Sequence, residues 1–161
     1  MASEDVEIHE LSGFADAAIR LFRALEANRQ RLATSHGLSS LELRALLRVA
    51  AQGRVTPKIL ATDLAVTKGA VTGLSDRLIS LGHLRRAEHP SDRRSLFLEL
   101  TPEGNAVMRG IHTSFREMIE AATGVVDDSA LEVTTRSIGA VAAEIDLALK
   151  RSGDPDPSAR A

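Results

Sequence analysis

Basic side chains are concentrated in the middle of this sequence, where they could bind phosphate. Residues 54–94 hold eight basic and four acidic side chains, so this segment is positive although the whole chain carries a net charge of −2. The basic residues are Arg54, Lys58, Lys68, Arg77, Arg85, Arg86, Arg93 and Arg94. A cationic segment in an otherwise acidic chain is typical of a module that contacts nucleic acid.

The segment after Thr67 has the pattern of a helix with one apolar face, and Thr67 can cap its start. Its apolar residues follow one another at steps of three and four: Val71, Leu74, Leu78 and Leu81. The opposite face would carry Gly69, Thr72, Gly73, Asp76, Arg77 and Ser80. Each glycine costs about 1 kcal/mol relative to alanine in a helix interior, and close approach to another surface would explain that cost.

The chemistry of this outward face suits a DNA major groove. Thr72 can contact a base edge or a thymine methyl, while Lys68 and Arg77 can reach phosphate or guanine. On this helix alone, a solvated face with incidental glycines remains an equal alternative.

An arginine-rich β-hairpin is predicted next, with strands over residues 83–88 and 95–100. Leu96, Leu98 and Leu100 alternate as one buried strand face, and a six-residue loop joins the strands. Asp92 can hold a neighbouring arginine by a charge-assisted bond, and an arginine at the tip could enter an A·T-rich minor groove. Solvated surface charge is the alternative.

The other predicted elements are helices that would position these two. A long helix covers residues 8–35, and its stripe consists of Leu11, Phe14, Ala18, Leu21, Leu25 and Leu32. Ser39 and Glu42 form a capping-box pattern before a helix that ends near Gly53. Thr56 and Pro57 start a short helix with inward-facing Ile59, Leu60 and Leu64.

Two further helices follow the hairpin. The first starts at Thr101–Pro102 and runs to about Ala122, and the second is capped by Asp127 or Asp128. Their apolar stripes, together with that of residues 8–35, exceed what a small winged core could cover. We therefore expect a second copy of the chain to bury them, which would place two groove-reading helices about one DNA turn apart.

Composition removes several other classes of function. The chain has no Cys, Trp or Tyr, which excludes thiol redox chemistry, disulfides and thiolate metal sites, and it has too few aromatic residues to stack single strands. The five histidines lack close metal-ligand spacing, so no metal or cofactor is predicted. A zinc-responsive site that uses His9, His36 or His112 remains an alternative. No serine lies in a nucleophile elbow, so an enzyme is not expected.

No apolar leader or membrane span is recognisable, so we predict a soluble, cytoplasmic protein that does not bind membrane. Residues 152–161 are small and polar and contain two prolines, and we predict a disordered tail there.

Two stretches resemble the MarR family of bacterial transcriptional regulators. The first is LATDLAVTKGAVTGLSDRL, residues 60–78, followed by Gly82-His83-Leu84. The second is Asp92-Arg93-Arg94, followed by Leu100-Thr101 and Gly104. The family's wing often begins with Asp and has Arg two places later, whereas this chain has His89 and Ser91.

The resemblance implies a mainly α fold: a winged helix-turn-helix with a small β-hairpin wing, plus N- and C-terminal helices that form a dimerisation domain. The corresponding divisions are an N-terminal dimerisation helix over residues 1–36, the winged helix-turn-helix over 37–101, the C-terminal dimerisation helices over 102–151, and the tail. The resemblance implies a homodimer on a palindromic double-stranded operator. Its DNA-binding positions are Thr67, Lys68, Gly69, Thr72, Gly73 and Arg77 in the recognition helix and Asp92, Arg93 and Arg94 in the wing.

Members of the family often bind small aromatic or phenolic effectors between the dimer helices and the DNA-binding lobe. Phe14, Phe22, Met108, Phe115 and Met118 could line such a space, but a plain helical core is the favoured interpretation of these residues. Arg20, Arg23 or Arg44 could pair with an anionic effector, so the effector site is unknown.

The sequence thus predicts a ligand-responsive repressor that acts as a homodimer. The alternative is a dimeric winged-helix module that binds protein and not duplex DNA.

Overall fold

The computed structural model describes residues 11–88 and 96–152 of the chain, which form a mainly helical fold with one small sheet. Along the chain the elements are α1 (Gly13–Ser35), α2 (Ser40–Gln52), β1 (Arg54–Val55), α3 (Pro57–Leu64), α4 (Lys68–Ser80), β2 (Leu84–Glu88), β3 (Leu96–Leu100), α5 (Pro102–Thr123) and α6 (Asp128–Ser152). This order confirms the predicted fold class.

Three helices begin where their capping residues predict. The Ser39 hydroxyl accepts a hydrogen bond from the Glu42 backbone N–H at 3.2 Å, and the Glu42 carboxylate accepts one from the Ser39 N–H at 2.7 Å. Thr56 caps α3 and Thr67 caps α4 by accepting from backbone N–H groups three residues later. These side chains satisfy backbone donors that the first turn of each helix leaves unpaired.

The core lies between α2, α3, α4 and the sheet. Its largest fully buried side chains are Leu43, Leu46, Leu60, Leu78, Leu84, Leu98, Val49, Val55 and Val71. Leu32 near the end of α1 and Ile111 in α5 are also buried in this cluster. The prediction that Ile59 faces inward is wrong, since Ile59 is 44% exposed while Leu60, Ala61 and Leu64 form the inner face of α3.

The sheet contains three antiparallel strands in the order β1-β3-β2. The hairpin was predicted but β1 was not, because a strand of two residues is too short to show an alternating pattern. Leu98 is buried opposite Val55 and Arg86, and Leu100 is partly buried. Leu96 is 41% exposed, so the predicted buried face fails there: Leu96 lies beyond the two residues of β3 that β1 pairs with.

The start of α5 is fixed to the turn that follows α4. The Thr101 N–H donates to the His83 carbonyl at 3.0 Å, and the Thr101 hydroxyl donates to the Gly82 carbonyl at 2.5 Å. A Cβ added at Gly104 would overlap the His83 carbonyl oxygen and lie 3.0 Å from its carbonyl carbon. Glycine is therefore required at this point, where the helix backbone packs directly on the turn.

The chain divides into two compact units after Thr113. The first unit contains α1 to β3 and the first half of α5. The second contains the rest of α5 and α6, and here Asp127 caps α6 by accepting hydrogen bonds from the Ser129 hydroxyl at 2.6 Å and the Ala130 N–H at 3.0 Å. These bonds lower the pKa of the Asp127 carboxyl below its usual value.

Candidate nucleic-acid interface

The helix pair α3–α4 has the form of a helix-turn-helix. Helix α3 ends at Leu64, and Ala65 follows in the left-handed conformation with φ 55°. The Ala65 and Val66 N–H groups donate to the Thr62 and Ala61 carbonyls at 3.1 and 3.0 Å, which closes the end of α3. Thr67 then caps α4, so only three residues separate the two helices.

Helix α4 has one buried and one exposed face. Val71, Leu74, Ser75 and Leu78 are buried. The exposed face, which we call the outer face of α4, consists of Gly69, Thr72, Gly73, Asp76, Arg77 and Ser80. Both faces match the prediction from the apolar spacing, apart from two residues: Ser75 is buried although it is polar, and Leu81 follows the end of the helix and is only partly buried.

The two glycines of this outer face have open space beside them, where a side chain would fit. A Cβ built on Gly69 or Gly73 would meet nothing within 4 Å, and neither residue has the positive φ that favours glycine. Neither packing within the described chain nor backbone conformation therefore requires glycine here. The glycines leave a shallow surface that another molecule can approach closely.

The charged side chains of α4 differ in how they are paired. Lys68, in the first turn, has no ion-pair partner among residues 11–88 and 96–152. The Arg77 Nε lies 3.9 Å from the Glu42 Oε1, and 56% of the Arg77 side chain is exposed. Because such a long, exposed ion pair is weak, Arg77 can reorient toward a ligand.

Asp76 links the outer face to the wing. Its Oδ1 accepts a hydrogen bond from the Arg86 Nη2 at 2.5 Å, and this bond connects α4 to β2. The pair also neutralises the one carboxylate of the outer face. The Thr72 hydroxyl donates its hydrogen to the Lys68 carbonyl at 3.1 Å, so the Thr72 hydroxyl oxygen can still accept a hydrogen bond from another molecule.

The wing strands hold further basic side chains. The Arg85 Nη2 donates to the Glu99 Oε2 at 3.0 Å across the strand pair, and the Arg54 guanidinium lies 5.0 Å from the centre of the Phe97 ring. Neither contact was predicted, and the second depends on β1, which the sequence did not indicate. Asp92, Arg93 and Arg94 lie outside the described residues, so their predicted role remains a prediction.

The other candidate sites give a mixed result. Within the described ranges, no group of three or more His, Asp or Glu side chains is placed to hold a metal ion. Met108 is a core residue as favoured, but Phe14, Phe22 and Phe115 are 61%, 66% and 41% exposed, so the core interpretation is wrong for these three in the single chain. None of the described helices is long and apolar enough to cross a membrane.

Comparison with known proteins supports the same interpretation of the helix-turn-helix and wing. Residues 38–96 match the family model described as the MarR family. The chain is 29% identical over 97 residues to the multiple antibiotic resistance protein MarR of Salmonella typhimurium. This match covers 58% of this chain and 67% of that protein. It is 30% identical over 105 residues to the HTH-type transcriptional repressor YetL of Bacillus subtilis, which covers 64% of this chain and 63% of that protein.

Solved structures of regulators share the fold. The transcriptional regulator Tm0710 from Thermotoga maritima superimposes with a TM-score of 0.71 at 22% identity, over 85% of this chain and 96% of that one. NadR in complex with 4-hydroxyphenylacetate gives a TM-score of 0.63 at 20% identity, over 84% and 96% of the two chains. Family model, relatives and fold agree: residues 38–96 match the MarR family, and the chain is similar to transcriptional regulators of that family.

Proposed function

We propose that this protein acts as a homodimeric repressor that binds a pseudo-palindromic operator and is released by a small ligand. The observation that carries the proposal is the outer face of α4, which combines two glycines without structural neighbours with cationic and hydroxyl side chains. The size and chemistry of this face suit a helix lying in a major groove.

Each residue of the recognition helix has a distinct role in this proposal. Gly69 and Gly73 let the helix backbone approach the base edges, and Thr72 contacts a base. Lys68 and Arg77 bind phosphate or guanine, and the first-turn N–H groups that follow Thr67 face the DNA backbone. Asp92, Arg93 and Arg94 reach the adjacent minor groove from the wing.

Dimerisation is supported by apolar side chains that the single chain leaves exposed. On α1 these are Phe14, Ile19, Leu21 and Phe22, and on α6 they form one stripe of Ile138, Val141, Ile145 and Leu149. Water contact with so many large apolar groups is unfavourable, and a second copy would remove it. A two-fold dimer presents its recognition helices symmetrically, so its operator repeats with inverted symmetry.

The repressor and ligand parts of the proposal come from named relatives. YetL is described as a repressor, and the NadR structure contains a bound aromatic acid. A ligand would release the operator only if it binds more tightly to a dimer shape that fits DNA poorly.

The test begins with selection of duplexes from a random library, followed by fluorescence anisotropy with the selected duplex at increasing salt. A dimer that neutralises about 6–10 phosphates loses roughly 10³–10⁵ in affinity between about 50 and 200 mM salt. Replacing Lys68 with Gln should lower the salt slope by about one for each bound copy. Selection of no duplex, or a shallow salt dependence, would instead favour the protein-binding alternative.

A further inference from the structure

The three charged side chains of α4 have different surroundings. Lys68, in the first turn, has no ion-pair partner within the part of the chain that the structure describes. Asp76 is bonded to Arg86, so its charge is neutralised. Arg77, in the last turn, faces the carboxylate of Glu42 from α2. The two cations of this helix are therefore not equivalent.

Glu42 is held in place by its own helix. Its Oε2 accepts a hydrogen bond from the Ser39 N–H at 2.7 Å, which is one half of the capping box of α2. Only 13% of the Glu42 side chain is exposed. Glutamine at this position would complete the same capping box. The negative charge of Glu42 is thus not needed for the cap.

The second oxygen of Glu42 lies beside Arg77. The Glu42 Oε1 is 3.9 Å from the Arg77 Nε, and 56% of the Arg77 side chain is exposed. This pair is too long to lock the arginine, but the fixed carboxylate remains next to it. Neither Nη of Arg77 forms an ion pair with a residue in the described ranges. The two Nη groups are donors that can bind two acceptors side by side.

We propose that Glu42 directs Arg77 to guanine rather than to phosphate, which makes Arg77 a specificity-determining residue and Glu42 its positioning residue. A phosphate at Arg77 would also meet the negative charge of Glu42, so its attraction is weakened. Guanine presents two uncharged acceptors, O6 and N7, that match the arginine donors. Lys68 has no carboxylate beside it and binds phosphate. The inference rests on the proposed function and separates the roles of its two cationic side chains.

The experiment uses the full-length protein and the duplex that it selects from a random library. Each guanine of this duplex is replaced in turn by 7-deazaguanine, which lacks the N7 acceptor. Fluorescence anisotropy should show that the wild-type protein loses at least roughly fivefold in affinity at one guanine of each half-site. Arg77→Gln should bind the unmodified duplex more weakly, and 7-deazaguanine at the same position should cause no further loss.

The dependence of affinity on salt distinguishes guanine binding from phosphate binding. Arg77→Gln should leave the salt slope unchanged, because Arg77 binds no phosphate in this inference. Lys68→Gln should lower the slope by about one for each bound copy. The two variants remove the same charge from the same helix, so each is the control for the other.

Glu42→Gln tests the positioning role, because it keeps the cap and removes only the charge. Arg77 is then free to bind phosphate, so most of the discrimination against 7-deazaguanine should be lost and the salt slope should rise by up to about one for each bound copy. Glu132→Gln removes the same charge from an exposed position of α6 and should change neither quantity. Thermal unfolding should be the same for Glu42→Gln and the wild-type protein.

Several results would overturn the inference. These are a selected duplex in which no guanine is sensitive to 7-deazaguanine, sensitivity that Arg77→Gln retains, a lower salt slope in Arg77→Gln, or unchanged discrimination in Glu42→Gln. In each case the protein still binds its duplex, so the proposed function stands and only the roles of Arg77 and Glu42 are wrong. If the wild-type protein selects no duplex, the proposed function and this inference both fail.

Discussion

Glycines in this protein serve different purposes, and the space around each glycine shows which purpose it serves. Gly104 lies where a helix packs directly on the His83 carbonyl, so the fold itself demands it. Gly69 and Gly73 face open space in a helix that would be more stable with alanine. The sequence singled out Gly69 and Gly73 by their place on the helix and Gly104 only through the family resemblance, and the structure shows that Gly104 alone of these three is required by packing.

Replacing Gly104 with Ala should destabilise the protein by about 1–3 kcal/mol, because the new methyl group overlaps the His83 carbonyl. Gly110 in the same helix is the matched control: its added Cβ would lie 3.7 Å from the His36 Nε2, an ordinary contact. Gly110→Ala should therefore be neutral or stabilise by up to about 1 kcal/mol. Urea unfolding measures both, and equal effects would contradict the packing role of Gly104.

Two substitutions at Gly69 separate helix stability from groove approach. Both Ala and Leu should raise the free energy of unfolding by up to about 1 kcal/mol, because both favour the helix and meet no neighbour. Only Leu is large enough to hold the backbone away from DNA, so Gly69→Leu should lose at least roughly tenfold in operator affinity while Gly69→Ala loses little. If Gly69→Leu binds the selected duplex as well as wild type does, the recognition helix does not approach the bases at this position.

At the scale of the elements, capping signals predicted the helix starts correctly, whereas strand β1 and the exposure of Leu96 could not be predicted from local signals. Capping by Ser39, Thr56 and Thr67 involves residues three positions apart, so the sequence contains the whole signal. Strand β1 exists only because Arg54 and Val55 pair with Glu99 and Leu98, more than forty residues later. The exposure of Leu96 has the same origin, since it depends on where β1 stops.

Thr67 should affect both helix stability and DNA binding, because it caps the helix whose first turn carries Lys68 and Gly69. Thr67→Ala should cost about 1 kcal/mol of stability, since the Ala70 N–H loses its partner, and fraying of this turn should weaken operator binding several-fold. Thr67→Ser keeps the capping oxygen and is the control. Urea unfolding measures the stability and fluorescence anisotropy measures the operator affinity. Unchanged affinity in a destabilised Thr67→Ala variant would show that the cap does not contribute to DNA binding.

At the scale of the whole molecule, a single chain leaves part of its apolar surface without a partner. Sequence patterns predicted apolar stripes on the N- and C-terminal helices, but periodicity cannot distinguish a stripe buried within one chain from one that a second chain covers. Phe14 and Phe22 show the difference, because both have core-like spacing and yet are exposed. The proposed dimer would account for both observations.

The dimer can be tested with two substitutions in α6 that introduce the same residue. Ile145 is 55% exposed and belongs to the apolar stripe, whereas Ala143 lies two positions away, on the opposite side of the helix at roughly 100° per residue. Ile145→Glu would bury an unpaired charge in the interface, so it should weaken self-association at least about tenfold and reduce operator affinity with it. Ala143→Glu adds the same charge and should leave both unchanged. Sedimentation equilibrium measures association. If Ile145→Glu remains as dimeric as wild type, this stripe of α6 is not the contact surface, and the symmetric presentation of two recognition helices must have another origin.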